Sequence, residues 1–244
     1  MEQKTAIVIG ASTGIGAATA EALAQQYKKI AITSFRHPEK LKEVQQKILA
    51  QGTDCYAETG DAGDFTFVKQ FIEHVTEQFG EKIDLLVNNA GISYVGLLTD
   101  MDEMDWKRII DTNITSVFNT CRQVVPYMVR THKGRIINIS SVWGNVGASC
   151  EVAYSATKGA VNAFTKALAK ELAPSGIAVN AIAFGAIDTA MNGHLSLEEK
   201  TVLEEEIPFG RMATEKEAAD FIVTTANAGS YLIGQVLTFD GGWQ

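Results

Sequence analysis

The chain has 244 residues and a formal net charge of −8; 46% of its residues are hydrophobic and 20% are charged. This balance is typical of a globular protein with a substantial core, and it excludes a disordered or collagen-like chain. The acidity argues against nucleic acid as a main partner, because a phosphate backbone attracts a basic surface. At about 150 residues per domain, the length alone is compatible with one domain or two.

Short apolar strands alternate with longer amphipathic helices along the chain. Nearly continuous apolar runs, typical of strands buried on both faces, predict strands at 5–9, 30–33, 55–57, 84–87, 135–139, 177–182 and 236–239. Apolar residues spaced at i, i+3 and i+4 predict helices at 15–26, 38–51, 65–79, 102–128, 154–172 and 215–228. This alternation predicts an α/β fold: one Rossmann-type domain over 1–244, with a doubly wound parallel sheet of about seven strands and helices on both faces.

Residues 188–211 interrupt the alternation before the last helix and strand, and we expect them to form a substrate lid. The apolar run at 5–9 is shorter than that of a signal peptide, and the uncharged stretch 221–239 is too polar for a membrane span. We therefore expect a cytoplasmic protein with no membrane partner. Widely spaced Cys55, Cys121 and Cys150 predict neither a disulfide framework nor a metal site, and Cys150 is expected to pack in the interior.

Glycines follow the first predicted strand at Gly10, Gly14 and Gly16. They permit a tight turn and let a pyrophosphate approach the N–H groups of a helix N-terminus; the alternative is a turn that needs glycine for its geometry only. Arg36 stands 20 positions after Gly16, and no acidic residue lies between them except Glu21, inside the first helix. An arginine there favours NADP(H) over NAD(H), unless it is only a solvated loop residue.

The most specific group of polar residues is Ser141, Tyr154 and Lys158. Tyrosine and lysine at i and i+4 share one helix face, so we expect the ammonium to lower the phenol pKa from its usual value of about 10. Ser141 ends the fifth predicted strand and is placed to bind the same carbonyl oxygen. Alone, such a Tyr–Lys pair is more often a surface pair, but the glycine turn and the Asn-Asn-Ala-Gly turn at 88–91 indicate proton transfer to a substrate.

Together these residues resemble the classical short-chain dehydrogenase/reductase family over essentially the whole chain. The resemblance is carried by the glycine turn, Asp61, Asn88-Asn89-Ala90-Gly91, Asn113, Ser141, Tyr154, Lys158 and Gly241-Gly242. It implies an NADP-dependent oxidoreductase in which Tyr154 is the general acid and Lys158 lowers its pKa and holds the nicotinamide ribose. It further implies that Ser141 polarises the carbonyl and that Asn113, in the fourth helix, orders a water of a proton relay.

The resemblance also implies a cofactor-binding set along the carboxyl edge of the sheet. The set comprises Gly10, Ser12, Thr13, Gly14, Ile15, Gly16, Ser34, Arg36, Asp61, Ala62, Asn89, Ala90, Gly91, Tyr154, Lys158, Gly185, Ile187 and Thr189. Two positions depart from the family pattern. Ile9 replaces a threonine and loses a hydroxyl, and Phe184 replaces a proline after the sixth strand, where we expect it to reshape the nicotinamide wall.

Within the family, the chain is most similar to bacterial 3-oxoacyl-[acyl-carrier-protein] reductases, through Gly210-Arg211, 234–236 and the 240–242 ending. Those enzymes tend to carry basic residues before the fifth and sixth strands, where this chain has His132 and Ser175. With a net charge of −8, this weakens the case for an acidic carrier protein as the partner.

Residues 143–152 are also similar to reductases that act on a 5-aminopentanone group attached to a lysine of elongation factor P. In that alternative, Glu151 receives the ammonium of the substrate. A third alternative, from another class, is a non-catalytic dinucleotide-sensing module, although a sensor needs only the cofactor pocket. The expected substrate is a small-molecule or protein-tethered ketone, and the family resemblance implies a homotetramer or a homodimer.

Overall fold

The computed structural model describes residues 3–193 and 195–244, so Met1, Glu2 and, within the predicted lid, His194 lie outside the described residues. The strands are β1 (Thr5–Ile9), β2 (Lys29–Ser34), β3 (Asp54–Thr59), β4 (Leu85–Asn88), β5 (Gly134–Ser141), β6 (Ile177–Phe184), β7 (Ile187–Asp188), β8 (Ala213–Thr214) and β9 (Val236–Phe239). Seven of them form one parallel sheet in the order β3-β2-β1-β4-β5-β6-β9, and β7 pairs with β8 in a second, two-stranded sheet. The predicted α/β fold with a doubly wound sheet is confirmed.

The helices are α1 (Gly14–Leu23), α2 (Pro38–Ala50), α3 (Phe65–Phe79), α4 (Glu103–Ile110), α5 (Ser116–Thr131), α6 (Trp143–Val146), α7 (Val152–Leu172), α8 (Leu197–Glu206) and α9 (Glu215–Ala226). Residues from α1, α2 and α9 share one hydrophobic core on one face of the sheet, and residues from α3, α5 and α7 share a second core on the other face. Strands β1 and β6 are buried along their whole length, which explains their continuous apolar runs. In the part of the chain that the structure describes, no helix is both long and apolar enough to cross a bilayer.

The helix predicted at 102–128 is two helices, α4 and α5, joined by a π-helical turn at Asp111–Thr115. The prediction of one continuous helix was wrong because a π turn keeps the apolar spacing almost unchanged while inserting extra backbone. Strand β3 is also longer than predicted. It pairs with β2 over six positions, and as an edge strand it carries the polar residues Asp54 and Glu58, which interrupt the apolar run.

The side chain of Phe184 differs from its predicted position. Phe184 is the last residue of β6, is only 4% exposed, and packs edge-on against Phe239 with ring centroids 5.8 Å apart. Phe221 of α9 stacks on Phe239 with ring centroids 4.8 Å apart. The structure therefore places Phe184 in the core beneath α9, and the expected effect on the nicotinamide wall is not seen.

Residues 188–211 include a short 3-10 turn at Ala190–Asn192 and the helix α8. No described residue of α8 is buried. Ser196 caps α8 through a reciprocal pair of hydrogen bonds with Glu199. The far end of the segment is held by Arg211, whose guanidinium makes a bidentate contact with Glu217 of α9 at 2.7 and 2.9 Å. The segment is thus attached to α9 at its end, while α8 is accessible to solvent. Its action as a lid stays a prediction.

Candidate active site

The turn between β1 and α1 lies directly against the residues that follow β4. Gly10 and Gly14 have φ values of +81° and +63°, a conformation that disfavours side chains. A Cβ at Gly10 would lie 2.7 Å from the Ala90 Cα, and a Cβ at Gly16 would overlap the carbonyl oxygen of Gly10. The Asn89 amide donates to that carbonyl at 2.7 Å. The structure thus brings the two predicted turns together.

The N-terminus of α1 is free of side-chain capping. Thr13 is the N-cap residue and makes no capping hydrogen bond, and the first turn, which includes Ile15, has no acidic residue. Its N–H groups are therefore available to an anion. Thr189 approaches the same turn, because a Cβ on Gly14 would lie 3.8 Å from the Thr189 Cγ2. Ile187, two residues earlier, is buried in β7.

The carboxyl end of β6 is close to the last strand. The Gly185 N–H donates to the Phe239 carbonyl at 3.0 Å, and a Cβ on Gly185 would lie 2.7 Å from the Asp240 Cβ. Gly185 therefore permits a close approach between the segments that follow β6 and β9.

A small cavity opens beside the glycine turn. Asp61 accepts a hydrogen bond from the Gly63 N–H at 2.8 Å and shapes the bend after β3. Thr33 has a buried hydroxyl oxygen with no hydrogen-bond partner among the described residues, so a polar atom is available to a ligand. The cavity is lined by Ile9, Gly10, Thr33, Ser34, Phe35, Gly60, Asp61, Ala62, Gly63, Ala90 and Thr112. The cavity therefore combines a largely apolar lining with one buried hydroxyl that has no partner in the described chain.

Six of these lining residues are absent from the predicted cofactor-binding set: Ile9, Thr33, Phe35, Gly60, Gly63 and Thr112. Five of them are sequence neighbours of Gly10, Ser34, Asp61 or Ala62, so widening those motifs by one residue would have found them. Thr112 had no such signal, because the π turn brings it to the cavity.

Polar groups cluster where β2 ends. The buried Ser34 hydroxyl donates to the Arg36 carbonyl at 2.7 Å and lies 2.8 Å from the hydroxyl oxygen of Ser12. The Arg36 side chain is exposed, and within residues 3–193 and 195–244 its guanidinium forms no ion pair with a carboxylate. The cluster therefore presents two hydroxyls and a free guanidinium at one point of the sheet edge.

Ser141, Tyr154 and Lys158 converge at the carboxyl end of β5. The Ser141 hydroxyl is near enough to the Tyr154 phenol to lower its pKa, and the Lys158 Nζ lies 5.5 Å from the centroid of the tyrosine ring. Lys158 is 3% exposed and donates to the Ile139 carbonyl at 2.9 Å. A Cβ on Gly91 would lie 3.3 Å from the same Nζ, so the turn after β4 borders this group.

The pKa values in this group differ from those expected from the sequence. Burial raises the pKa of Tyr154 to about 12; the hydrogen bond from Ser141 lowers it, and the charge of Glu151 raises it. Burial also lowers the pKa of Lys158 to about 8. Lys158 is not among the causes of this shift, and desolvation of the phenol, the largest of them, raises the pKa, so the predicted lowering by Lys158 is not met in this structure.

Asn113 lies in the π turn rather than in a regular helix. Its amide oxygen accepts from the Ile92 N–H at 2.8 Å, and its Nδ2 donates to the Ile92 carbonyl at 2.9 Å and to the Thr157 hydroxyl at 3.0 Å. The side chain is buried. Asn113 thus connects the loop after β4 to α7 through Thr157, the residue before Lys158.

Two loops meet beside Tyr154. The Ser93 hydroxyl donates to Glu151 Oε2 at 2.7 Å, and the Gly96 N–H donates to the Cys150 carbonyl at 2.8 Å. Cys150 is half-buried, with a φ of +62°, so the expectation that it packs in the interior was wrong; its loop position keeps it near the surface. Glu151 is half-buried and forms no ion pair within the described part of the chain.

His132 and Ser175 lie at the other edge of the sheet. His132 precedes β5 and Ser175 precedes β6, and a Cβ on Gly176 would lie 2.7 Å from the His132 carbonyl oxygen. These positions are neighbours at the amino ends of the strands, whereas Ser141 stands at the carboxyl end of β5. They therefore lie at the opposite edge of the sheet from Ser141 of the same chain.

Among the described residues, no group of three or more His, Cys, Asp or Glu side chains is placed to hold a metal ion.

A family model described as short chain dehydrogenase matches residues 4–200. The uncharacterized oxidoreductase YmfI of Bacillus subtilis is 39% identical over 241 residues, which covers 98% of each chain. The 3-oxoacyl-[acyl-carrier-protein] reductase FabG of Staphylococcus aureus is 40% identical over 240 residues, covering 98% of this chain and 97% of that protein.

Among solved structures, a variant of a Serratia marcescens short-chain dehydrogenase/reductase superposes with a TM-score of 0.91 at 30% identity, covering 98% of this chain and 97% of that one. The sequence and the structure of this chain match these relatives over nearly the full length of both chains. The chain therefore belongs to the short-chain dehydrogenase/reductase family of oxidoreductases.

Proposed function

We propose that the protein reduces a ketone to a secondary alcohol with NADPH, in a reaction most like that of a 3-oxoacyl-[acyl-carrier-protein] reductase. The observation that carries this proposal is the convergence of Ser141, Tyr154 and Lys158 beside Gly91, at the same sheet edge as the glycine turn. The relatives named FabG support the oxoacyl class of substrate.

The residues of this chain have separable roles in that reaction. The N–H groups of the α1 turn would hold the pyrophosphate, the cavity at Asp61 and Ala62 the adenine, and Lys158 the nicotinamide ribose. Bound NADPH supplies a hydride to the carbonyl carbon. Ser141 and Tyr154 bind the carbonyl oxygen, and Tyr154 gives it the phenol proton as the alkoxide develops. With its pKa at about 12, Tyr154 holds that proton at neutral pH.

The preference for NADP(H) over NAD(H) is part of this proposal. It is supported by the hydroxyls of Ser12 and Ser34 and the unpaired guanidinium of Arg36 where β2 ends. Arginine binds a phosphate through charge-assisted hydrogen bonds, and a serine hydroxyl beside it can add a further donor.

A second candidate substrate is the 5-aminopentanone group on a lysine of elongation factor P. It is favoured by Glu151, a half-buried carboxylate beside Tyr154 that pairs with no cation of the described chain. A substrate ammonium would neutralise this charge, and an acyl chain has no group that does so.

Turnover of an acetoacetyl thioester and of modified elongation factor P separates the two substrates. Glu151→Gln keeps the size of the side chain and removes the charge, and Ser93→Ala removes its hydrogen-bond donor as a matched control. For an amino-ketone substrate, Glu151→Gln slows turnover of the modified protein about 10- to 100-fold and leaves the thioester nearly unchanged. Equal losses on both substrates exclude the amino-ketone role.

The sensor alternative predicts no chemistry at all. A generic β-keto ester tests this alternative. A reductase oxidises NADPH with that substrate, so the absorbance of NADPH falls, whereas a sensor leaves the absorbance unchanged. The arrangement of Asn113, Ser141, Tyr154 and Lys158 supports the reductase, since cofactor binding alone does not need these groups together.

We also propose that the chain assembles as a homodimer or homotetramer in the cytoplasm, with 188–211 acting as a lid over the substrate. Assembly is supported by large apolar side chains exposed on α4 and α5: Met104 is 80% exposed, Phe118 49% and Trp106 42%. The cytoplasmic location is supported by the free thiols of all three cysteines. Light scattering of the purified protein measures the oligomeric state.

A further inference from the structure

The single-turn helix α6 lies between Ser141 and the loop that carries Glu151. Its backbone is pressed against α7, because a Cβ on Gly144 would lie 2.7 Å from the carbonyl carbon of Lys158 and 2.9 Å from its Cβ. Any shift of α6 along α7 would therefore change how the segment after Ser141 sits relative to Lys158.

One amide pair bridges α6 and α7. Asn162 lies one helical turn after Lys158, is 7% exposed, and donates from Nδ2 to Asn145 Oδ1 at 2.9 Å. The Oδ1 of Asn162 is buried and has no hydrogen-bond partner among the described residues. Leaving a buried acceptor unpaired is unfavourable, and an apolar side chain would fill the space without that penalty. The hydrogen bond that Asn162 donates to Asn145 therefore explains why a polar side chain occupies this buried position.

Helix α6 also contacts the Ser141 hydroxyl. The N–H of Trp143, the first residue of α6, donates to Ser141 Oγ at 3.2 Å. This bond occupies an acceptor position of the hydroxyl, so the hydroxyl proton points elsewhere, toward Tyr154 or a carbonyl oxygen. The Trp143 ring packs edge-on against Trp243 with centroids 4.9 Å apart. The orientation of Ser141 thus depends on where α6 is held.

We propose that Asn145 and Asn162 are positioning residues for the reduction: their hydrogen bond holds α6 against α7 and, through the Trp143 N–H, fixes the direction of the Ser141 hydroxyl. The consequence for turnover rests on the proposed reductase function. The effect of the hydrogen bond on the position of α6 does not rest on that function, because it is a property of the folded chain and is measured without substrate.

The test uses two variants of nearly equal shape at the exposed Asn145. Asn145→Leu removes the acceptor, and Asn145→Asp keeps an oxygen at the same place. Asn227→Leu is the matched control, because it removes an exposed amide pair with Gln26 (2.7 Å) that lies away from this edge. Amide hydrogen exchange of residues 143–147 is measured first, and then kcat, KM and the NADPH dissociation constant with a β-keto ester.

For Asn145→Leu we expect exchange at 143–147 to rise about tenfold and kcat to fall about tenfold, with NADPH binding unchanged. Asn145→Asp and Asn227→Leu should behave like the unmodified protein in both measurements. The proposal fails if Asn145→Asp loses as much as Asn145→Leu, or if Asn145→Leu leaves exchange and kcat unchanged.

A double-mutant cycle tests whether the pair acts through Ser141. In a Ser141→Ala background, Asn145→Leu should slow the residual turnover no further, because the hydroxyl that it orients is gone. A second tenfold loss in that background contradicts the proposed route. If the unmodified protein reduced no ketone, the reductase proposal would fail, while the exchange result would still decide whether the pair holds α6.

Discussion

The Lys158 ammonium lies 5.5 Å from the centroid of the Tyr154 ring, one turn further along α7, and is hydrogen-bonded to the Ile139 carbonyl. Lys158 is buried and Tyr154 is half-buried, and desolvation shifts their pKa values toward the neutral forms, to about 12 for Tyr154 and about 8 for Lys158. The folded chain therefore keeps a protonated phenol and a destabilised ammonium at one point.

The first prediction concerns the phenol proton. Tyr154→Phe should lower kcat for ketone reduction by about 10²- to 10⁴-fold, the usual contribution of a general acid, and leave the NADPH dissociation constant nearly unchanged. Tyr127→Phe, on α5, is the matched control and should keep full activity. Steady-state kinetics and fluorescence titration with NADPH check both, and activity retained in Tyr154→Phe would rule out this acid.

The second prediction concerns the stability cost of Lys158. Below pH about 8 the folded chain holds a buried ammonium, whereas in the unfolded chain the lysine stays charged up to its usual pKa of 10.5. Lys158→Met should therefore raise Tm at pH 7, by about 2–4 °C for each kcal/mol of relieved desolvation, while it abolishes turnover.

The pH dependence of that gain has a definite sign. Between pH about 8 and 10.5 the unfolded state binds more protons than the folded state, so the unmodified protein gains stability as pH rises. The Tm advantage of Lys158→Met should shrink over this range. Lys170→Met, at an exposed position of α7, should change Tm little at any pH, and a Tm gain for Lys158→Met that does not vary with pH would contradict the assignment to Lys158.

The third prediction concerns cofactor choice. Arg36→Asp should raise the KM for NADPH about 10- to 100-fold and lower that for NADH, because a carboxylate repels a phosphate and accepts from a ribose hydroxyl. Lys42→Asp makes the same charge change at an exposed position of α2 and should affect both cofactors far less. If the two variants were alike, general electrostatics rather than Arg36 would explain the preference.

The fourth prediction concerns the close approach in the glycine turn. In Gly16→Ala the new methyl group would overlap the Gly10 carbonyl oxygen, so Tm should fall and the NADPH dissociation constant should rise more than about tenfold. Gly229→Ala adds a methyl group with no heavy atom within 4 Å and should shift Tm by about 1 °C at most. Thermal unfolding and NADPH titration of the two variants give a direct comparison.

Much of this architecture was predictable because it depends on local patterns. Continuous apolar runs indicated strands buried on both faces, and the helical spacing between them indicated crossover connections, which together define a parallel sheet. The glycine turn, the Asn-rich turn and the Ser141, Tyr154 and Lys158 pattern then fell at the carboxyl edge of that sheet, where the structure has them.

The amino-acid sequence by itself therefore determined the fold class and the family, and it predicted Ser141, Tyr154 and Lys158 as the reacting groups. Only the tertiary structure decided that a π turn directs Asn113 toward Ile92 and Thr157, that Phe184 packs in the core, and that the Tyr154 pKa is raised. These features depend on contacts between residues far apart in the chain and on the water those contacts exclude. A periodic pattern shows which face of an element is apolar, but burial and partner choice are settled only when the elements pack.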